Sequence, residues 1–300
     1  MRDIHRRLEE QGQEHLLFEA SSRNARRLVE IAAAVLGDDT EERVFTHPVL
    51  CLTILPHRAR PEREIWKRIN GPYTLMVQPT ADHAGRYHGV PHGSKARLIL
   101  LYLQTEAVKT NSRVVELGTS MRSWLRSMGV TITGPNYAEV RRQARKIERA
   151  LVSFTFEGDK ATVSWQDTII RGSFERPINP DDVRTVELSE SFFRAIVERP
   201  VPLCETAIRV LGERCMALDL YLWLAYRLHS LHRPITVPWP SLHNQFGSAT
   251  RLLKHFKPVF GREIQAALAA YCDARVDLVA EGVRLSPSPP PTGSILRAVK

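Results

Sequence analysis

Hydrophobic positions along this chain alternate between helical and every-second-residue spacing, and the switches predict an order of elements. Residues 21–36 read as a helix capped by Ser21 or Ser22, with Leu28, Ile31 and Val35 on one face and Gly37 as the stop. The apolar, β-branched run from Val44 to Leu55 predicts a strand, or two short ones broken near Pro48. Another strand, Tyr73 to Val77, follows the turn signal Asn70-Gly71-Pro72. Residues 80–93, rich in Gly and His, read as a loop. Residues 1–93 are therefore expected to form a small N-terminal α+β segment.

From Ser94 the pattern is more regular. A helix to about Lys109 carries Leu98, Leu101, Tyr102, Thr105 and Val108 at helical spacing, and a short strand 114–117 ends at Gly118. A second helix, capped by Thr119 or Ser120, turns Met121, Trp124, Leu125 and Met128 inward. After the turn at 133–136 comes a third helix, 137–151, and then alternating strands at 151–156 and 161–174. That order is the order of a winged helix. It recurs more loosely: helix 214–231, strand 234–238, helix 240–246, basic helical segments over 250–271 and a hairpin turned at Glu281-Gly282. The expected fold class is α+β, with two tandem winged-helix modules at 94–176 and 188–288 behind the N-terminal segment. A linker is expected at 175–187, and a flexible tail at 289–300, after the Pro-rich run 286–291.

Charge sharpens this picture. The 300 residues hold 42 Lys+Arg against 33 Asp+Glu. Residues 1–93 are neutral, with 13 cations and 13 anions, whereas 94–176 carry 14 cations and only 8 anions. Only 8 of the 42 cations are Lys, and Arg is the better fork for phosphate and guanine, although a GC-rich coding sequence also raises Arg usage. The charged stretch Met1 to Glu10 argues against a secretory segment, and no apolar run is long enough to span a membrane. Four unpaired-looking Cys, at 51, 204, 215 and 272, suggest neither a disulfide framework nor a zinc ribbon. A cytoplasmic protein is expected.

The third helix concentrates the cations: Arg141, Arg142, Arg145, Lys146 and Arg149 surround a stripe of Val140, Ala144, Ile147 and Leu151. A cationic third helix between a turn and a hairpin suits a DNA major groove. Arg141, Arg142 and Arg145 sit where base edges are reached, Lys146 and Arg149 where phosphates are, and Asn136 and Tyr137 begin the helix. In the second module Arg251, Lys254, Lys257 and Arg262, with His255, play the comparable part, and Pro258 is expected to break or kink their segment. Trp239, Phe246 and Phe256 read as core.

Other chemistry is poorly supported. His229 and His232 are spaced i, i+3 but lack an HExxH partner, and His83, His88 and His92 lack ligand spacing. Residues 89–95 resemble a phosphate loop but fail the Walker spacing. No catalytic residues, metal or cofactor are expected.

Several short blocks resemble the plasmid-encoded RepA replication initiators of proteobacteria. They are Leu55-Pro56-His57-Arg58, Asn70-Gly71-Pro72-Tyr73-Thr74-Leu75, the run from Gly89 through Leu100, Leu103-Gln104-Thr105-Glu106-Ala107, Leu117 through Met121, Arg142-Gln143-Ala144-Arg145 and Gln245-Phe246-Gly247. The resemblance implies a non-enzymatic initiator that binds repeated duplex sites in a plasmid origin, promotes opening and recruits host replication proteins, with copy control through its own promoter. Strands 44–55 and 73–79 are candidates for a homodimer interface or for packing on the first module. Two rival readings remain: a transcriptional repressor using the same modules on an operator, and a nucleic-acid-processing enzyme.

Overall fold

The computed structural model describes residues 2–38, 40, 42–158, 162–171, 184–247, 250 and 252–292. Helices and strands mix throughout, so the α+β class holds. The described residues fall into two compact units, one from Phe45–Val201 and the other from both Met1–Val44 and Pro202–Lys300. These units cut across the expected segments 1–93, 94–176 and 188–288. The cause is burial between segments far apart in sequence, which periodicity does not register.

In the unit from Phe45–Val201, an antiparallel sheet runs in the order Trp66–Asn70, Tyr73–Pro79, Ala150–Glu157, Thr162–Thr168. The first strand, unforeseen, joins the second through Asn70-Gly71, where Gly71 adopts φ 57°. Tyr73 pairs with Phe156 and Val77 with Val152, so Leu75, Val77, Val152 and Phe154 share the buried face. They pack toward Leu100 of helix Gly93–Thr110 and Phe192 of helix Glu190–Glu198. The run 44–55 is not all strand. It yields strand Arg43–Thr46 and then helix Pro48–Leu52, because proline is preorganised for a first helical turn and His47 Nδ1 accepts the Val49 N–H at 3.2 Å.

Strand Val114–Gly118 pairs with Arg184–Leu188, which also pairs with Ile170–Arg171. Residues 184–187, expected in the linker, are thus part of a strand, and 172–183 lie outside the described residues. Helix Met121–Ser127 is closed by a capping box between Ser120 and Ser123.

In the other unit, helix Cys215–Ser230, strand Ile235–Pro238, helix Trp239–Phe246, helix Leu253–Ala269 and strands Arg275–Val279 and Gly282–Ser286 follow in the expected order. The hairpin pairs with Ile235–Pro238 through Gly282–Ser286, making a three-stranded sheet. Trp223, Phe246, Phe256 and Phe260 form an aromatic core, with Phe246 and Phe260 ring centroids 5.9 Å apart. Pro258 breaks nothing: helix Leu253–Ala269 runs through it. The lost N–H costs about 3 kcal/mol, and burial of Phe256, Phe260 and Ile264 on the same helix offsets it.

Helices Arg2–Gln11, Gln13–Glu19 and Arg23–Leu36 belong to this unit, the first two unforeseen. Leu28, Val29, Ile31 and Ala32 are buried, and their helix packs on Leu253–Ala269 and Glu205–Leu211. His5 Nε2 lies 2.9 Å from the Ala269 carbonyl. The expected tail begins packed: the Tyr271 hydroxyl donates to Pro289 O and Thr292 is buried, whereas 293–300 lie outside the described residues. Among the described residues no helix is long and apolar enough to cross a membrane.

Candidate nucleic-acid interface

The cationic helix of the Phe45–Val201 unit spans Gly134–Glu148, starting three residues earlier than expected. Thr133 caps it by accepting the Asn136 N–H, and Pro135 sits in its first turn. Leu151 therefore falls on the following strand. Val140, Gln143, Ala144 and Ile147 are buried and anchor the helix from behind. Gln143 Oε1 accepts the His92 N–H at 2.9 Å, and its Nε2 donates to Glu139 Oε1 at 2.7 Å. His92, rather than Ser94, is the N-cap of helix Gly93–Thr110. Burial pushes the His92 pKa down, despite the Val90 carbonyl beside it, and Lys146, Arg142 and Arg97 reinforce this.

The outward face carries Tyr137, Arg141, Arg142 and Arg145, all exposed. The Arg141 guanidinium lies 6.0 Å from the Tyr137 ring centroid, and Arg142 is ion-paired with Glu139. Among the described residues no carboxylate pairs with Arg141 or Arg145. A cleft of about 420 Å³ borders this face, lined by Tyr137, Arg141, Arg145, Arg149, Arg86 and Arg184 among others. A second, of about 580 Å³, is lined by Arg141, Arg142, Arg145, Lys146 and Arg60.

Two candidate residues serve the scaffold instead. Lys146 is only 7% exposed. A Cβ at Gly89 would lie 3.2 Å from its ammonium, and φ +74° at that position favours glycine in any case. Burial lowers the Lys146 pKa, Arg142 adds to this and Glu62 opposes it. Asn136 is half-buried and its Nδ2 donates to Thr131 O at 2.8 Å, bracing the turn. Arg149 caps the helix C-terminus beside Glu148, 3.4 Å away, and its side chain reaches the first cleft.

Arg60, Arg86 and Arg184 were not among the expected contacts. The loop holding Arg86, expected at 80–93, is braced by its own side chains. Asp82 Oδ1 accepts the N–H groups of Ala84 and Arg86 at 2.9 and 3.0 Å, and its Oδ2 accepts Arg86 Nε at 3.0 Å and lies 3.2 Å from His88 Nε2. These bonds, led by the Arg86 N–H, hold the Asp82 carboxyl far below the usual carboxylate range. The Asp82-x-Ala84-x-Arg86 spacing is an Asx-turn signal that could have flagged the loop. Nothing local marks Arg60 or Arg184.

In the other unit Lys254, His255 and Arg262 are exposed on helix Leu253–Ala269, and Arg251 lies outside the described residues. Lys257 is half-buried, its ammonium 5.2 Å from the Trp239 ring centroid. Trp239, Phe246 and Phe256 are core, as their spacing indicated. His229 Nδ1 hydrogen-bonds the Ala225 carbonyl at 2.9 Å.

Several of the sequence blocks meet around the cationic helix as framework. The buried Arg97 guanidinium donates to the carbonyls of Leu55, Pro56 and Gly93 at 2.7, 3.1 and 3.0 Å, joining two blocks. Gln104 Oε1 accepts the His47 N–H at 2.8 Å, and Asn70 Nδ2 donates to Leu52 O at 2.8 Å.

Sequence comparison with curated proteins gives no match. Among solved structures, domains 2 and 3 of RctB, in a selenomethionine form, are similar with a TM-score of 0.54 at 13% identity, over 80% of this chain and 98% of that one. A second crystal structure of RctB domains 2–3 gives a TM-score of 0.49 at 13% identity, over 79% and 94% respectively. At 13% identity the first of these likenesses is one of fold. The family model described as plasmid encoded RepA protein matches residues 90–238, the span holding the cationic helix and the framework behind it, and over that span the chain belongs to the RepA family of replication initiators.

Proposed function

We propose that this initiator binds duplex DNA, with helix Gly134–Glu148 in a major groove and helix Leu253–Ala269 making a second contact. On this reading both units contain a winged-helix module, supported by the recurrence of helix, strand, helix, helix and hairpin in the same order. One observation carries the reading: Arg141 and Arg145 stand exposed on a helix pinned from behind. Their forked N–H donors are free of carboxylates and the helix that carries them is held in place, which suits guanine edges and phosphates. The protein then acts in the cytoplasm on repeated origin sites, helps open the duplex and recruits host replication proteins, all without catalysis. A labelled origin fragment is expected to survive incubation with the protein and magnesium.

Footprinting on DNA flanking the gene tests this, with protection of repeated sites expected. Arg141→Ala or Arg145→Ala should cost about 1–3 kcal/mol in specific binding and relax the sequence preference. Unchanged affinity and footprint in both variants would remove the helix from the interface.

A further inference from the structure

Helix Gly134–Glu148 forms a ridge between two cationic clefts, and we propose that these clefts hold the phosphates of the two DNA strands that border one major groove. The inference rests on the DNA-binding reading above. It assigns phosphate contacts to Arg86 and Arg184 on one side and to Arg60 on the other, none of them on the helix or its hairpin.

Helical geometry places the clefts on opposite sides. At 100° per residue, Arg141 and Arg145 form the crest. Tyr137, Ala144 and Glu148 fall on one flank and line the first cleft, whereas Ala138, Arg142 and Lys146 fall on the other and line the second. The first cleft sets five arginines against Asp82 and Glu148, and the second sets five cations against Glu62. A groove about 12 Å wide that admits a helix presents a phosphate strand on each side of it, so a ridge with a positive trough along both flanks matches that charge pattern.

The bracing of the outer arginines favours phosphate over base contacts. Asp82 holds Arg86 by its Nε while the side chain remains 69% exposed, leaving its outer N–H groups toward water. Glu64 holds Arg60 more closely, through Nε at 3.1 Å and through one outer nitrogen as well, which leaves the other outer nitrogen to a phosphate. A guanidinium fixed and partly neutralised in this way can set register on a backbone without reading sequence.

The test is binding of the full chain to a short random-sequence duplex, titrated against salt, with melting temperature as the folding control. Arg60→Ala should flatten the slope of log affinity against log salt by about 0.9, and Arg86→Ala with Arg184→Ala by about 1.8. The triple variant should add the two losses, because the phosphates are distinct. Arg60→Lys and Arg86→Lys, which keep the charge, should keep the parent slope. Parent-like slopes in the alanine variants would overturn the inference, as would a triple variant no flatter than the double one. A parent that binds no duplex at any salt would overturn the DNA-binding reading itself, and the inference with it.

Discussion

The two units repeat one order of elements and close it differently. In the unit that contains residues 202–292, the hairpin pairs with the strand of its own module, Ile235–Pro238, over an aromatic cluster. In the Phe45–Val201 unit, the equivalent hairpin pairs with Tyr73–Pro79, and strand Val114–Gly118 turns to Arg184–Leu188. Element order leaves strand pairing open, and an edge goes to whichever neighbour also buries its apolar face. The cationic helices differ as well. One exposes forked arginines at 141 and 145; the other exposes Lys254 and Arg262, with Lys257 resting on Trp239. A planar fork reads a base edge and a flexible ammonium is a point charge, so under the proposed function the arginines of the first helix suit sequence and the lysines of the second suit backbone.

The largest expected effects separate the two cores. Phe260→Ala and Trp124→Ala each remove a buried aromatic, at about 3–5 kcal/mol apiece. Each should move one melting transition and spare the other, and calorimetry showing identical shifts would break the comparison.

A smaller effect depends on pH. Burial holds His47 neutral, with its pKa lowered to about 4, and Arg199 adds to the shift. The penalty is absent above the unfolded value near 6.5 and grows as pH falls, because the unfolded chain gains a proton that the folded one does not bind. Stability of the Phe45–Val201 unit should therefore fall by about 1.4 kcal/mol per unit between pH 6.5 and 4, about 3 kcal/mol in all, and level off below. His47→Asn retains an acceptor for the Val49 N–H and should flatten that dependence, leaving the effect of His5 in the other unit, whose pKa burial also lowers. An unaltered pH profile would count against His47.

The smallest effect sharpens the contrast between the two helices. Lys254→Ala with Lys257→Ala should weaken binding to all DNA alike and flatten its salt slope by less than about 1.8, since Lys257 is partly withdrawn. Loss of sequence preference in that variant would assign base reading to the second helix too.

Much of the order was legible because it is written locally. Ser22, Ser120 and Thr133 cap the helices that follow, and Asn70-Gly71 turns the first hairpin. What escaped is what distant residues decide. Lys146 repeats the pattern of its arginine neighbours, yet a glycine 57 residues earlier leaves room for its ammonium to be buried. Asn136 looks like a contact until Thr131 takes its amide, and Arg184 enters the candidate site through strand pairing alone. Local cost alone argues for a break at Pro258, and the aromatic burial on the same helix keeps it continuous.

The bond between His5 and the Ala269 carbonyl has a consequence for synthesis. Residues 45–201 are contiguous and can fold once they leave the ribosome, whereas the unit built from the segments on either side must close a loop over that whole stretch. Until residue 269 emerges, the nascent chain carries helix Arg23–Leu36 without one of the helices it packs on. A helix translated late thus helps cover one made much earlier, and a chain cut short before it would leave part of the earlier helix's apolar face open to chaperones or proteases.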